Sequence, residues 1–385
     1  WYTNMLIGID LLWVRPKIVG GTEAVARNLI TGFGMYDDIN EYILFVGRDV
    51  AETFYYFEKY RNMRVFPCET DSMKRTQRIA WENLNLDSLA RRMNVDLMFV
   101  PVYSKPDSLS VEKGGIPYVT LIHDLQALHF PEYFSLPKIL FAKKSWKKAC
   151  KESAVVVTGS DFCVKDISDR YPIVKEKIVK IYDPVIVSEN PLESTVNGFE
   201  DCENKYDIKK GRYFFTVSSL LPHKNLDTLI KVMKEISENH PELSDFKLIV
   251  SGVGGKKDEF QKKVDEAGVS DIVIDTGFVG EDERDLLYTN CNLFLFPSTF
   301  EGFGIPPIEA MIKGARVVTT RCACIEEITQ NKATYVDDPK DVNEWIEKIK
   351  EAQEKKKEKH DFIDYSISVI TEEYMEVFNL ATNKN

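Results

Sequence analysis

The chain has 385 residues, of which 44% are hydrophobic, and it carries a net charge of −11. A chain of this length and hydrophobic content can bury large cores, and we expect two domains. It contains no run of about 18 apolar residues that could span a membrane, and its acidic balance argues against a general nucleic-acid binder. Seven cysteines without zinc-type spacing are typical of reduced thiols. We therefore expect a cytoplasmic protein without a secretion signal.

Apolar runs of strand length alternate with helix-length segments along the chain. In the first half these predicted strands are MLIGID, YILFVG, DLMFVP, YVTLIHD, AVVVTGS and KIVKIYDP. In the second half they are YFFTVSS, FKLIVSG, DIVIDTG, NLFLFPS and ARVVTT. This alternation is the βαβ pattern of parallel sheets, and it occurs twice. We predict two doubly wound α/β domains, residues 1–190 and 191–360, joined by a polar segment, with a helix over 361–385 that packs back on the first domain.

Charge is distributed unevenly between the two halves. Through Pro184 there are 25 Lys and Arg against 23 Asp and Glu, whereas the remainder carries 25 against 38. Within the basic half, the segment LPKILFAKKSWKKACKES combines lysines with apolar residues, a pattern that can lie on an anionic membrane surface. A helix with a solvated lysine face explains the same pattern. The candidate residues for a membrane or an acceptor are Lys143, Lys144, Trp146, Lys147 and Lys148.

The loops that follow the strands are the places to look for a site, because doubly wound sheets bind ligands beyond the carboxyl ends of their strands. In the first half, Gly20 and Gly21 precede a predicted helix start that Thr22 could cap. A turn that faces a phosphate and an ordinary capped helix both fit this pattern. His123 ends a predicted strand together with Asp124, and either a contact with substrate or a structural role is consistent with it.

The second half offers a lysine and several glycine turns in equivalent loops. Lys224 lies in the loop VSSLLPHKN before a predicted helix, where it could neutralise a diphosphate or simply be solvated. The loops SGVGG and TGFVGEDE end the next two strands in glycine turns that could admit a nucleotide base.

The segment STFEGFGIPPIEAM predicts a strand, a loop and a helix start that together suit a phosphorylated ligand. Its glycines let the backbone approach a ligand closely, and the helix start presents unpaired N–H groups. Glu301 and Glu309 could both face one ligand, since carboxylates pair well with vicinal hydroxyl groups. A tight turn whose glutamates are favoured by the helix dipole is the alternative.

Taken together, these segments resemble the retaining family 4 glycosyltransferases over nearly the full length of the chain. EGFGIPPIEAM is similar to the E-x7-E signature of that family, LLPHKN to its basic loop, and GG and HDL to its acceptor-domain loops. The resemblance implies the GT-B fold, in which two facing Rossmann-like domains with doubly wound parallel sheets are separated by a cleft. The first domain would bind the acceptor and the second the nucleotide sugar.

The resemblance also implies roles for the residues of the E-x7-E segment. Glu309 would hold the ribose hydroxyls of the donor, and Glu301 would hydrogen-bond the transferred sugar as part of the catalytic set. The amides of Phe303 and Gly304 would face the sugar and the phosphate, with Ile305 completing this donor-binding segment.

By the same resemblance, other loops complete the site. His123 would flank the transferred sugar, Lys224 would contact the diphosphate, and Gly20 and Gly21 would make room for it. Many family members carry an arginine beside the phosphates just after the first strand of the donor domain. Here that place reads Ser218 and Ser219. Phosphate neutralisation would then depend on Lys224, on helix starts, and on Ser219 and His223 as donor-binding neighbours.

The implied reaction is the retaining transfer of a hexose from a nucleoside-diphosphate sugar to a glycan or lipid-linked acceptor in surface-polysaccharide assembly. The segment HDLQALHFPEYFS is similar to the corresponding segment of family members that transfer mannose or rhamnose. No Asp-x-Asp occurs in the chain, so we expect no cofactor and no required metal, with the departing phosphate acting as the base. A sugar-nucleotide epimerase or hydrolase of the same fold and a non-catalytic nucleotide-sugar-binding subunit are the alternatives.

Overall fold

The computed structural model describes residues 4–16, 20–186 and 198–383. These residues belong to two structural units, and each is described by itself below. Unit 1 comprises residues 1–186 and 363–385, and unit 2 comprises residues 187–362. The sequence-based prediction placed the same divisions after residues 190 and 360. The polar joining segment was predicted over residues 184–211. Its part 187–197 lies outside the described residues, and its later part contains a helix, Phe199–Tyr206, which the prediction of a linker missed.

Unit 1 is built on a parallel sheet whose seven described strands follow the order β3-β2-β1-β4-β5-β6-β7. The strands are β1 Leu6–Asp10, β2 Glu41–Gly47, β3 Met63–Cys68, β4 Leu97–Val100, β5 Tyr118–Leu121, β6 Val155–Thr158 and β7 Ile178–Lys180. The strand order reverses its direction between β1 and β4, which are hydrogen-bonded neighbours. In doubly wound sheets this switch point is where the loops diverge and leave a crevice for a ligand.

Helices cover both faces of this sheet, as its apolar strands require. A parallel sheet is buried on both faces, which is why its strands read as continuous apolar runs. The helices of unit 1 are α1 Gly21–Tyr36, α2 Arg75–Trp81, α3 Asp87–Arg92, α4 Gln126–His129, α5 Leu136–Glu152, α6 Asp161–Arg170 and, from the far end of the sequence, α14 Ile367–Asn383. A π-helical turn, Glu82–Leu86, joins α2 to α3.

Helix α14 contributes to the core of unit 1 by packing against α1. The ring of Phe33 on α1 lies 5.7 Å from the ring of Tyr374 and 5.6 Å from that of Phe378. Gly32, one residue earlier, faces the same helix, and a methyl group added there would lie 2.9 Å from Ile367 Cγ1. The absence of a side chain at Gly32 therefore permits the close approach of α1 and α14.

Unit 2 repeats the architecture with six described parallel strands in the order β10-β9-β8-β11-β12-β13. The strands are β8 Tyr213–Val217, β9 Lys247–Ser251, β10 Val273–Gly277, β11 Leu293–Phe296, β12 Arg316–Thr320 and β13 Thr334–Val336. The helices are α7 Phe199–Tyr206, α8 Leu226–Asn239, α9 Lys257–Ala267, α10 Glu281–Asn290, α11 Ile305–Ile312, α12 Ile325–Ile328 and α13 Val342–Glu354. The switch point of this sheet lies between β8 and β11.

The prediction of two Rossmann-like parallel-sheet domains is confirmed, but two strands escaped it. Strand β3 contains Pro67 and three partly exposed or exposed residues in its middle, so its sequence lacks a continuous apolar run. Strand β13 has only three residues. Both strands lie at sheet edges, where proline and short length are tolerated because one side makes no ladder hydrogen bonds. In the described part of the chain, no helix has both the length and the hydrophobicity needed to cross a bilayer.

The close approach at Gly32 leads to a stability prediction. Gly32→Ala would normally gain about 0.5–1 kcal/mol from helix propensity, but overpacking a tight contact costs roughly 1–3 kcal/mol. We expect a net destabilisation of unit 1, measured as a lower Tm or a lower denaturant midpoint.

Gly21→Ala is the matched control, because Gly21 begins the same helix with no atom near the added methyl group. It is expected to leave stability unchanged or slightly higher. Equal stability of the two variants would show that α1 and α14 do not depend on a bare backbone at residue 32.

Candidate functional site

The central contact of unit 2 is an ion pair at the switch point of its sheet. Lys224 lies in the loop after β8, and Glu301 lies in the loop after β11. Lys224 Nζ donates to Glu301 Oε1 at 2.6 Å, and the two side chains are only 21% and 11% exposed. A partly buried lysine whose partner is a single carboxylate can transfer its hydrogen bonds to an arriving phosphate. The two residues predicted as catalytic in this unit are thus in contact.

Asn225, next to Lys224, holds the lysine loop in place. Its backbone is left-handed, with φ of 54°, a conformation that asparagine tolerates better than most residues. Its side-chain amide donates to the carbonyl oxygens of Pro297 and Pro339 at 3.2 and 2.8 Å. These bonds tie the loop after β8 to the loop after β11, so the position of Lys224 is set by the fold.

His223 is buried beside this ion pair and is not a source of positive charge. Burial, reinforced by the charge of Lys224, lowers the pKa of His223 to about 4, so the imidazole is neutral near pH 7. Its carbonyl oxygen accepts from the backbone N–H of Thr299 at 2.7 Å. Ser219, the other predicted neighbour, accepts a 3.4 Å hydrogen bond at its carbonyl oxygen from Ser218 Oγ. Of Ser219, His223 and Lys224, only Lys224 carries a positive charge near pH 7.

The start of helix α11 has a restricted set of hydrogen-bond donors. Gly304 precedes the helix with φ of 96°, a conformation for which glycine is strongly favoured. Pro306 and Pro307 follow in the first turn and have no N–H group. The amides that this helix start can offer to an anion are therefore those around Gly304 and Ile305. Phe303, immediately before, is buried, with 5% of its surface exposed.

Glu309 is 14% exposed at its side chain and is held by two side chains of α10. Tyr288 donates its hydroxyl to Glu309 Oε2 at 3.0 Å, and Arg284 Nη2 donates to Oε1 at 3.4 Å. Burial raises the pKa of Glu309, and the charge of Arg284 opposes this. The sequence analysis did not single out Arg284 and Tyr288. Their spacing of four residues, which places them on one helix face, was the signal available.

The predicted residues of unit 1 lie at the carboxyl edge of its sheet. His123 follows β5, its Nε2 lies 3.4 Å from the carbonyl oxygen of Pro101, and burial lowers its pKa to about 4. Gly20 precedes α1 with φ of 69°, and among the described residues no atom lies near a methyl group added at Gly20 or Gly21. Gly20, Gly21 and His123 belong to unit 1, whereas the other predicted catalytic and donor-binding residues belong to unit 2.

Helix α5 carries the predicted basic segment, but not with every residue on its surface. Trp146 is 3% exposed and packs in the core of unit 1, with its ring 5.4 Å from that of Tyr103. The prediction that Trp146 meets a membrane or an acceptor is therefore wrong, because helical periodicity turns it inward. Lys148 pairs with Asp107. The apolar residues that α5 exposes are Leu136 and Leu140, which share a helix face with Lys143, Lys144 and Lys147.

A pair of buried carboxyl groups lies at the switch point of unit 1 and was not foreseen. Asp10 ends β1, and Glu82 begins the π-helical turn; they are 1% and 4% exposed. Burial raises the pKa of Asp10 to about 6, and burial together with the Asp10 charge raises that of Glu82 well above its usual value. Asp10 Oδ2 accepts no N–H or hydroxyl group among the described residues, but a protonated Glu82 can donate to it.

Arg78 completes this arrangement from helix α2. Its Nη1 donates to Glu82 Oε2 at 3.3 Å, and its charge opposes the rise in the pKa of both carboxyls. We call Asp10 and Glu82 the unit 1 carboxyl pair. The strand end at Asp10 could have been read from the sequence, whereas nothing in the local pattern marks Glu82.

Two family models match this chain, one on each side of residue 190. Residues 199–369 match the model described as Glycosyl transferases group 1, and residues 19–189 match the model described as Glycosyltransferase Family 4. The chain belongs to this glycosyltransferase family. The predicted family resemblance is thereby confirmed.

Two curated relatives of the family align with a little over half of the chain. The O-antigen chain mannosyltransferase RfbU of Salmonella typhimurium is 31% identical over 236 residues, which are 60% of this chain and 60% of RfbU. The O-antigen chain mannosyltransferase B of Escherichia coli is 26% identical over 230 residues, 58% of each chain. The chain thus matches less than two thirds of the length of these relatives.

Solved structures of similar fold cover almost the whole chain. Sucrose-phosphate synthase from Thermosynechococcus elongatus superimposes with a TM-score of 0.67 at 14% identity, covering 99% of this chain and 97% of its own. Anabaena HepE, determined in complex with UDP and glucose, gives 0.62 at 17% identity and covers 99% and 98%. The glycosyltransferase WaaG gives 0.63 at 16% identity and covers 98% of both chains. These likenesses show that this family member has the GT-B fold.

The unit 1 carboxyl pair predicts a pH dependence of stability. The unfolded chain loses an Asp10 proton near pH 4, whereas the folded chain holds it to about pH 6. Between these values the folded state binds more protons, so the free energy of unfolding falls as pH rises. Asp10→Asn resembles the protonated acid and should raise Tm relative to the parent at pH 8 but not at pH 4. One pKa unit corresponds to about 1.4 kcal/mol, a shift of a few degrees.

Asp38→Asn is the control, because Asp38 is an exposed acid of the same unit. Its Tm difference from the parent should be small at both pH values. A Tm difference for Asp10→Asn that does not change between pH 4 and pH 8 would contradict the retained proton.

Proposed function

We propose that this protein is a retaining glycosyltransferase that moves a hexose from a nucleoside-diphosphate sugar to a glycan or lipid-linked acceptor in surface-polysaccharide assembly. The observation that carries the proposal is the Lys224–Glu301 ion pair at the switch point of unit 2. A cation and a carboxylate at this point provide separate partners for the two parts of such a donor, its diphosphate and its sugar.

The relatives favour a mannose-like donor sugar. RfbU and mannosyltransferase B are named as O-antigen chain mannosyltransferases, and longer proteins similar to this chain are named as serotype-specific mannosyltransferases. We therefore favour mannose, or the related rhamnose, over other hexoses. HepE was solved with UDP and with UDP-glucose, which is consistent with a nucleoside-diphosphate donor for proteins of this fold.

The proposed reaction breaks the bond between the sugar and the diphosphate. The departing diphosphate takes the electron pair and is stabilised by Lys224 and the amides near Gly304, the term that contributes most to this kind of catalysis. The acceptor hydroxyl forms the new bond on the same face of the sugar, and its proton passes to the departing phosphate. Glu301 and the neutral His123 hydrogen-bond the transferred sugar. No metal takes part in this scheme.

Glu309 is assigned to the donor ribose, and the residues around it hold its carboxylate in place for that role. Its carboxylate is oriented by Tyr288 and Arg284, so the oxygens need no rearrangement to accept hydroxyl groups. Such ribose contacts are the same in the ground state and the transition state, and they lower KM without raising kcat. Gly20 and Gly21 leave space for the donor phosphates, and Ser219, His223, Phe303 and Ile305 form its surroundings.

The proposed reaction can be tested by measuring turnover. A nucleoside-diphosphate sugar that binds the folded state will raise Tm, and a screen by this measure identifies the donor. With that donor and an acceptor extract, Lys224→Ala should lower kcat by roughly 10² to 10³, as expected for the loss of one charge-stabilising donor.

Lys234→Ala provides the comparison, since Lys234 is an exposed lysine of α8 paired only with Glu238; its kcat should be unchanged. An unchanged kcat in Lys224→Ala would remove Lys224 from the mechanism. Conversion of the donor at full rate without acceptor would favour an epimerase or hydrolase, and donor binding without any turnover would favour a binding subunit.

Another prediction concerns a peripheral membrane location at the inner face. Lys143, Lys144 and Lys147 share the exposed face of α5 with Leu136 and Leu140, a composition suited to an anionic bilayer surface. At about 1 kcal/mol per lysine, changing these three lysines to Gln should weaken binding to vesicles with anionic lipid by roughly 10²-fold.

The control changes three exposed lysines of unit 2, Lys231, Lys234 and Lys262, to Gln, which removes the same charge elsewhere. Co-sedimentation at low and high salt measures both variants against the parent protein. Equal binding by both variants, or no binding by the parent, would contradict a membrane-facing role for α5.

A further inference from the structure

A cavity lies in unit 1, beside the unit 1 carboxyl pair. Its volume is about 210 Å³, roughly the share of liquid that seven waters occupy. Its polar lining residues are Glu82, Asn83, Ser104, Lys105, Asp107, Lys144, Ser145 and Lys148. We infer that this cavity binds the anionic group, carboxylate or phosphate, of the saccharide acceptor; the inference rests on the proposed function, since it specifies that acceptor.

The position of the cavity is the first argument. Glu82 adjoins Asp10 at the end of β1, and Ser104 follows β4 by four residues. Strands β1 and β4 are the neighbours between which the strand order of unit 1 reverses. The cavity therefore lies at the switch point of unit 1, the place in a doubly wound sheet where a ligand is expected. In unit 2 the equivalent place holds the Lys224–Glu301 ion pair.

The charge of the lining is the second argument. Three lysines border the cavity, and Asp107 is the one other charged residue of the lining besides Glu82. Glu82 pairs with Arg78 at 3.3 Å, and the guanidinium charge offsets the negative charge that Glu82 brings to the cavity. The net charge of the residues that line the cavity is therefore positive. An anion would offset this charge, whereas a neutral sugar alone would not.

The hydrogen bonds already present show which groups remain available. Lys105 is 1% exposed at its side chain, pairs with Glu152 Oε2 at 3.5 Å, and donates to Ser108 Oγ at 2.7 Å and to the carbonyl oxygen of Pro106 at 3.1 Å. Lys148 pairs with Asp107. The side chain of Lys144, by contrast, makes no ion pair or hydrogen bond within the described residues. The hydroxyl group of Ser104 likewise makes no hydrogen bond there. Lys144 is therefore the lysine that a ligand would engage.

The apolar part of the lining suits a sugar ring. Phe141 and Ile79 border the same cavity, and the ring of Phe141 already carries the guanidinium of Arg75 at 5.5 Å on its face. A cavity with an aromatic wall and an unpaired cation can hold a saccharide by its C–H surface and its anionic substituent together.

The test uses glucuronic acid, glucose 1-phosphate and glucose as probes, with binding measured by NMR titration of the full chain. At least one anionic sugar should bind about tenfold or more tightly than glucose, and Lys144→Gln should lose about that factor. The two anionic probes separate a carboxylate from a phosphate as the recognised group. Equal affinity of all three sugars would overturn the inference.

Lys147→Gln is the matched control, because Lys147 is an exposed lysine of the same helix that does not line this cavity. It should retain binding within about twofold. Equal losses in the two variants would show a general effect of charge, and would overturn the cavity as the site.

Two further variants test whether the probe binds in unit 2 instead, and whether binding requires a negative charge on Glu82. Binding lost in Lys224→Ala but kept in Lys144→Gln would place the probe in unit 2 and overturn the inference, whereas nucleotide binding tests the proposed function separately. Glu82→Gln resembles the protonated carboxyl and should keep the anionic probe bound. Loss of the anionic probe in that variant, with Tm unchanged, would show that binding requires a negative Glu82 and would overturn the positive charge of the cavity as the basis of recognition.

Discussion

Every described strand in both sheets runs parallel to its neighbours, and a parallel sheet must be covered by helices on both faces. This constraint leaves little room for polar chemistry in the middle of the central strands, whose residues are mostly buried and apolar. The loops at the carboxyl ends are the remaining places. Within them the switch point is distinct, because consecutive loops diverge there. Unit 1 and unit 2 each place a charged cluster at that point, the Asp10–Glu82–Arg78 group and the Lys224–Glu301 pair.

The two units stabilise a buried carboxyl group through different neighbouring side chains. In unit 2, Glu309 is balanced by Arg284 and a tyrosine hydroxyl, which keeps its oxygens oriented as acceptors. In unit 1, Glu82 pairs with Arg78, and burial raises the pKa of both Asp10 and Glu82. Buried ion pairs of this kind contribute little net stability, because desolvation offsets their attraction. Their presence at both switch points is therefore better explained by binding than by folding.

The core strands could be predicted from the sequence because burial on both faces produces uninterrupted apolar runs. Strands β3 and β13 could not, because β3 contains Pro67 and has a mixed composition, and β13 has only three residues. The same limit applies to the site. Glu301, Glu309 and Lys224 lie in loops next to such runs, where position marks them. Glu82 lies in a π-helical turn far along the chain from Asp10, so only the packing of α2 against the sheet reveals the pair.

Unit 1 is discontinuous in sequence, since α14 joins it after the whole of unit 2. During synthesis a chain emerges from its N-terminus, and domains generally fold as they appear. Unit 2 is contiguous and can close its core as soon as it has emerged. The side of unit 1 that carries Phe33 stays uncovered until α14 has been made, so the first part of the chain to be synthesised is the last to complete its fold.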